Sequence, residues 1–233
     1  MNAGASADAL GIGGLQPFTT IDFPGALSAV VFVQGCPWRC PYCHNPQLQS
    51  RAADTAGPRW AALRPWLARR ARVLDALVFS GGEPTLDPAL PAAMQEARAL
   101  GYRIGLHTAG LSPRRLRALL PLVDWVGLDV KAPLDDPALH DHVSGVRGAA
   151  SSVRASLDAL LASGVAHECR TTVHASLLAE GKLENLVSFL AGRGVARHVL
   201  QACRTQEGNV WPEAAVVEQL RLRQPALSLR GPA

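Results

Sequence analysis

Apolar and polar positions alternate along this chain in short blocks. Six blocks read as strands: residues 28–34 (SAVVFVQ), 74–80 (LDALVFS), 102–108 (YRIGLHT), 123–131 (VDWVGLDVK), 167–174 (HECRTTVH) and 196–203 (ARHVLQAC). Each is short, apolar and bounded by turn residues. Helical spacing fills the gaps. It covers 59–70, interrupted by Pro65, and 87–100, with Asp87 as N-cap and Pro88 at the first helical position. It returns at 112–120, with a Ser-Pro start, at 151–163, stopped by Gly164, and at 182–194. These connections have crossover length, which calls for parallel strands covered by helices. Six units without a glycine-rich dinucleotide fingerprint predict an α/β fold, an incomplete (β/α)6 barrel with outer helices. Polar chemistry gathers where the strands of such barrels end. The segments 34–46, 80–84, 107–110 and 128–131 should therefore meet at one mouth. No repeat or linker divides the chain, so residues 14–233 read as one domain behind a loose tail of residues 1–13.

Composition narrows the partners. The 233 residues are 48% hydrophobic and 18% charged, enough for one full core. No apolar run approaches the roughly 18 residues of a membrane span. The opening MNAGASADALGIGG lacks the basic and apolar regions of a secretion signal, so the chain reads as cytoplasmic. The net charge is +4, and 21 of the 23 basic residues are arginine, densest at Arg64, Arg69, Arg70 and Arg72. Such a face is either solvated or a dock for an acidic electron-donor protein such as flavodoxin or ferredoxin. No aromatic stacking signature points to nucleic acid.

Three of the five cysteines fall in QGCPWRCPYCHNP, residues 34–46. A clustered, odd cysteine count in a cytoplasmic chain argues for a metal or redox site. Cys40–His44 matches the c-type haem pattern, but that chemistry belongs outside the cytoplasm, and Met1 and Met94 are the only methionines. A thioredoxin-like dithiol does not need Cys36. A zinc site from Cys36, Cys40, Cys43 and His44 would need two adjacent residues to converge and has no second ligand pair. An iron–sulfur cluster uses thiolates at such short spacings. Three thiolates on a four-iron cube leave one iron open, as a catalytic metal site requires.

The C-x3-C-x2-C spacing, with Tyr42 before the last cysteine, resembles the radical S-adenosylmethionine (SAM) signature, and Ser80–Pro84 (SGGEP) follows at the next strand end. Together with GLQPFTTIDFPG (14–25), HTAG, LDVK and CRTTVH, these motifs resemble the glycyl-radical-enzyme activating enzymes over about residues 14–205. Among those, they are most similar to the activators of anaerobic ribonucleoside-triphosphate reductase. The resemblance implies that Cys36, Cys40 and Cys43 ligate a [4Fe-4S] cluster whose fourth iron is chelated by SAM. It implies that Tyr42 and His44 line the adenine side and that Gly81, Gly82 and Glu83 hold the methionine amino group. It implies that Asp129 and Lys131 contact the nucleoside or carboxylate end, with Arg170 a further carboxylate contact and Thr108 in the same wall. Asp22 matches a region near the partner enzyme. His107 replaces an aspartate that helps hold a monovalent cation in relatives. The implied chemistry is reductive cleavage of SAM to a 5′-deoxyadenosyl radical that takes hydrogen from a partner's glycine, with no side chain acting as acid or base.

The remaining candidates read as structural. His140, His142, His167, His174 and His198 are core or surface residues, with His174 the best exception. Cys169 or Cys203 could supply a fourth cluster ligand, but both read as small core residues; Trp38, inside the cysteine loop, packs over the cluster, and Lys182 is solvated.

Overall fold

An antiparallel strand, β1 (Ile12–Thr19), leads into six parallel strands that lie side by side in chain order. These are β2 (Ser28–Val33), β3 (Ala76–Gly81), β4 (Arg103–Thr108), β5 (Trp125–Asp129), β6 (Ala166–Val173) and β7 (His198–Thr205). They match the six expected strands to within about two residues at each end. The computed structural model describes residues 5–51, 57–179 and 181–231. Helices α1 (Trp60–Arg70), α2 (Leu90–Ala99), α3 (Pro113–Leu119), α4 (Pro137–Ser144), α5 (Ala149–Ser163) and α6 (Lys182–Gly192) fill the crossovers. A hairpin strand, β8 (Gly208–Val210), and helix α7 (Ala214–Arg223) lead to β9 (Leu227–Arg230), which pairs in parallel with β7. Among the described residues no pairing joins β1 to β8 or β9, so the barrel stays open on that side.

Strand alternation sorts two cores. Outward positions such as Val31, Phe79, Leu106 and Leu128 pack with Leu67, Met94, Leu116 and Leu157 of the helices. Each such buried side chain contributes about 1.5–3 kcal/mol. Inward positions near the strand starts, Val30, Ala76, Val78 and Trp125, form a separate cluster with Phe23 and Ala26 from the β1–β2 connection. The Phe23 and Trp125 rings lie 5.7 Å apart. This plug fills the barrel's N-terminal end.

Three expectations are corrected. The loose tail is shorter than 1–13. Ala7–Ala9 form a 3₁₀ turn capped by Ser6, Ala7 and Leu10 are buried, and β1 begins at Ile12. Apolar contacts under α1 and α2 outweigh the small-residue composition there; residues 1–4 lie outside the described residues. Pro65 does not interrupt α1. The buried Trp60, Leu63 and Leu67 hold the helix on both sides of it, offsetting the roughly 3 kcal/mol that an interior proline costs. Helix α2 starts at Leu90, not at Asp87. The Asp87 carboxylate is used otherwise, accepting from the amides of Ala89 at 2.8 Å and Gly11 at 3.2 Å.

Candidate active site

The cysteine loop leaves the end of β2 and is stapled at its base. The Gly35 amide donates to Leu48 O at 2.8 Å, and the Cys36 amide to Gln49 O at 3.0 Å. Within it, the Cys43 amide donates to Cys40 O at 3.1 Å, a tight turn that brings those two thiols to one side. The Arg39 amide bonds Ser144 O at the end of α4, and its guanidinium donates to Cys36 O and Trp38 O at 2.7 and 2.9 Å. Trp38 is buried edge-on against His140, with centroids 6.0 Å apart. Cys36, Cys40 and Cys43 are half-buried free thiols facing one cavity. Its other walls include Tyr42, His44, Gly81, Gly82, Thr108, Asp129, Lys131 and Arg170. The strand ends do converge as the sequence predicts.

The glycines bring backbone to backbone. The Glu83 amide donates to Gly35 O at 2.9 Å, and the Gly82 amide to Val33 O at 2.8 Å. A Cβ on Gly81, whose φ is +113°, would come within 2.6 Å of Val33 backbone atoms, so no other residue fits there. Glu83 departs from its expected role. Its carboxylate is buried and accepts from the Thr85 and Thr108 hydroxyls at 2.6 and 2.7 Å and from the Ala109 amide at 2.9 Å. Burial pushes its carboxyl up, against these bonds. The side chain is not among those lining the cavity. Through these bonds it ties the β3 loop to the β4 loop. The Thr108 hydroxyl is spent in the same tie.

Asp129 sits between two cations. Arg170 Nη2 lies 2.8 Å from its Oδ1, and Lys131 Nζ lies 3.4 Å from its Oδ2. Burial opposes the Asp129 charge, yet Arg170 and then Lys131 hold its carboxyl well below the usual range. Burial likewise opposes charge on Lys131, but Asp129 keeps its ammonium pKa above the ordinary value. The trio carries a net charge of about +1 into the cavity. Gly127 makes room for it, since a Cβ there would meet Arg170 Cζ at 2.9 Å. Lys131 lies between the rings of Trp38 and Tyr42, 6.0 and 5.8 Å from their centroids. Tyr42 stacks on His174 at 4.9 Å, so His174 is the histidine the site recruits. His107 Nε2 donates to Asp22 O at 2.9 Å, and burial, helped by Arg170, pushes its pKa down to about 3. Asp22 is thus tied beneath the site.

Two residues beyond the candidates named from the sequence also reach the site. Gln201 and Thr172 line the cavity from neighbouring strands. Their period-two position on β7 and β6 was the available signal. His140 and His198 are core residues, as is Cys169, whose thiol burial pushes up to about 12. Cys203 is buried as well. Lys182 is not simply solvated but pairs with Asp136 at 3.0 Å.

The donor set fits a polynuclear cluster. Among the described residues no three His, Cys, Asp or Glu side chains converge on one point as a single metal ion requires. A cluster instead places each thiolate on a different iron. Burial pushes the Cys36 thiol up to about 11, so ligation would supply what the free pocket does not, a stable thiolate. The buried Trp38 Nε1 and Tyr42 hydroxyl around the loop have no protein partner.

The profile of the Radical SAM superfamily matches residues 30–181. A provisionally named glycyl-radical enzyme activating enzyme of Methanocaldococcus jannaschii is 34% identical over 129 residues, covering 53% of this chain and 51% of that protein. The PqqA peptide cyclase of Xanthomonas campestris is 37% identical over 145 residues, covering 60% of this chain and 37% of that one. The chain thus spans about half the length, or less, of these curated relatives. The solved structure of anSMEcpe with bound AdoMet shares the fold, with TM-score 0.58, 18% identity, and coverage of 73% of this chain and 49% of that one. No helix among the described residues is long and apolar enough to cross a membrane.

Proposed function

This chain belongs to the radical SAM superfamily, whose enzymes use a [4Fe-4S] cluster and SAM, and from that premise we propose that it installs a glycyl radical on a partner enzyme, specifically an anaerobic ribonucleoside-triphosphate reductase. The observation that carries the reading is the single cavity in which three free thiols face the Lys131–Asp129–Arg170 trio. Cys36, Cys40 and Cys43 would hold the cluster. The bound cluster and SAM supply one-electron cleavage that creates a hydrogen-abstracting species. Lys131 and Arg170 would receive the SAM carboxylate, with Asp129 keeping both cations aimed and charged. The backbone of Gly81 and Gly82, and not the Glu83 side chain, would face the amino group. Tyr42 and His44 would cover the adenine. The relative from M. jannaschii supports a glycyl-radical partner; the motif set of residues 14–205 supports the reductase. The open barrel side suits a protein loop as substrate.

The PqqA peptide cyclase similarity favours a second reading, radical chemistry on another peptide. One experiment separates them. The protein is reconstituted anaerobically with iron and sulfide, reduced, and mixed with SAM and the reductase. A glycyl-radical paramagnetic signal on the reductase is expected. SAM cleavage without that signal would leave the peptide reading, and no SAM-dependent change in the cluster signal would defeat both.

A further inference from the structure

Beneath the apolar plug, at the end of the barrel away from the cysteine loop, lies a separate cavity of about 360 Å³. Its rim gathers the starts of four strands. Arg103 opens β4, Trp125 opens β5 with Asp124 just before it, Ala166 and His167 open β6, and Arg197 immediately precedes β7. Phe23 and Pro24 of the β1–β2 connection complete the wall. We propose that this cavity binds a small organic anion, a carboxylate or phosphate carried on a compact apolar body.

Three observations select that ligand. The first is unpaired positive charge. Among the described residues the guanidiniums of Arg103 and Arg197 have neither an ion pair nor a hydrogen bond; Arg103 instead lies 5.0 Å from the centroid of the Phe23 ring. The carboxylate of the rim, Asp124, is occupied elsewhere, accepting from Arg98 Nη2 at 2.9 Å and from the Ile104 amide at 2.6 Å. Two cations therefore border the cavity without a counter-ion, and guanidiniums match the oxygens of carboxylates and phosphates. The second is a polar atom left over. His167 Nδ1 donates to Val165 O at 2.8 Å, which leaves Nε2 for a ligand, and that atom is buried with no partner among the described residues. Buried polar atoms rarely stay unpaired. The third is the wall. The Phe23 and Trp125 rings, 5.7 Å apart, are apolar and nearly buried, so the body of the ligand meets them while its charge meets the rim. The lining offers no thiol, hydroxyl or amine, so the cavity binds and does not make a second reaction centre. It is nonetheless close to the first. The Trp125 ring meets His107 edge-on, with centroids 5.5 Å apart, and His107 lines the upper cavity. A Cβ on Gly127 would meet Trp125 Cη2 and Arg170 Cζ alike, each at 2.9 Å. One indole thus lies between the lower cavity and the charge trio.

The test titrates the iron-loaded protein with phenyl phosphate and with benzoate, read by calorimetry and by tryptophan fluorescence. Saturable one-to-one binding with a Kd of about 1 mM or tighter is expected for at least one probe, and the tighter of the two identifies the anionic group. Phenol and inorganic phosphate, each lacking one half of the ligand, should bind about tenfold more weakly. Arg103→Gln with Arg197→Gln should weaken the better probe about tenfold or more. The melting curve should stay as in wild type, because both side chains are exposed. Trp125→Phe should remove most of the fluorescence change. Lys131→Gln, which alters the upper cavity, should bind the probe as wild type does. Absence of saturation with both probes, wild-type binding in the arginine pair, an undiminished fluorescence change in Trp125→Phe, or a loss of binding in Lys131→Gln instead would overturn the proposal.

Discussion

The two ends of the barrel interior are made by the same strands and differ in almost everything else. At the strand starts, Val30, Ala76, Val78 and Trp125 close on Phe23. Towards the C-terminal ends of β3 to β6, Ser80, His107, Asp129 and Arg170 line the cavity. The lower end is held by area removed from water. The upper end gathers three thiols and a buried charge trio, whose charges cost stability unless paired. Apolar burial at the strand starts thus secures the fold and leaves the strand ends free to gather polar groups.

The largest expected effect comes from breaking the upper end. Replacing any one of Cys36, Cys40 or Cys43 by Ala should abolish cluster loading and SAM cleavage while circular dichroism and the melting curve of the apoprotein stay close to wild type. Iron analysis and paramagnetic resonance check this; a full cluster in any of the three variants would break the comparison. Next, Asp129→Asn leaves Arg170 buried and unpaired. A stability loss of roughly 2–4 kcal/mol in urea is expected, below the top of the range for a broken buried pair because Asp129 is partly exposed, together with weaker SAM binding by calorimetry. The lower end sharpens the contrast: Phe23→Ala should cost about 3 kcal/mol and leave iron loading of the folded protein unchanged.

The smallest effect is a slope. His107 is held neutral, with a folded pKa of about 3 against roughly 6.5 in an unfolded chain. A depressed histidine contributes stability that is present above about pH 6.5 and is lost as pH falls toward the folded value. The urea midpoint should therefore drop between about pH 6.5 and 4, and drop less steeply in His107→Gln. Equal slopes would show that other buried histidines, such as His140 and His198, carry the acid sensitivity.

The sequence made the parallel array legible because β2 to β7 are apolar on both faces over much of their length and helices separate them. It hid β1, whose GGLQPF segment has two glycines and a proline and lies at an edge, and β8 and β9, which are three and four residues long. Short edge strands leave little periodicity to read. The cysteines, Lys131 and Arg170 were visible because thiol spacing and strand-end position constrain them. The role of Glu83 was not, because its bonds to Thr85 and Thr108 depend on how two loops meet. His174 stood out by its place after a strand, whereas Gln201 became a functional candidate only through neighbours far away in sequence.

That Glu83 knot has a consequence in time as well as in space. The Ala109 amide ends on a carboxylate that is itself buried and saturated, so deuterium can reach it only when the turns after β3 and β4 separate together. Its exchange clock should therefore run with the slow core amides, although it sits on a loop, and Glu83→Gln should speed it up before any other amide of the cavity wall.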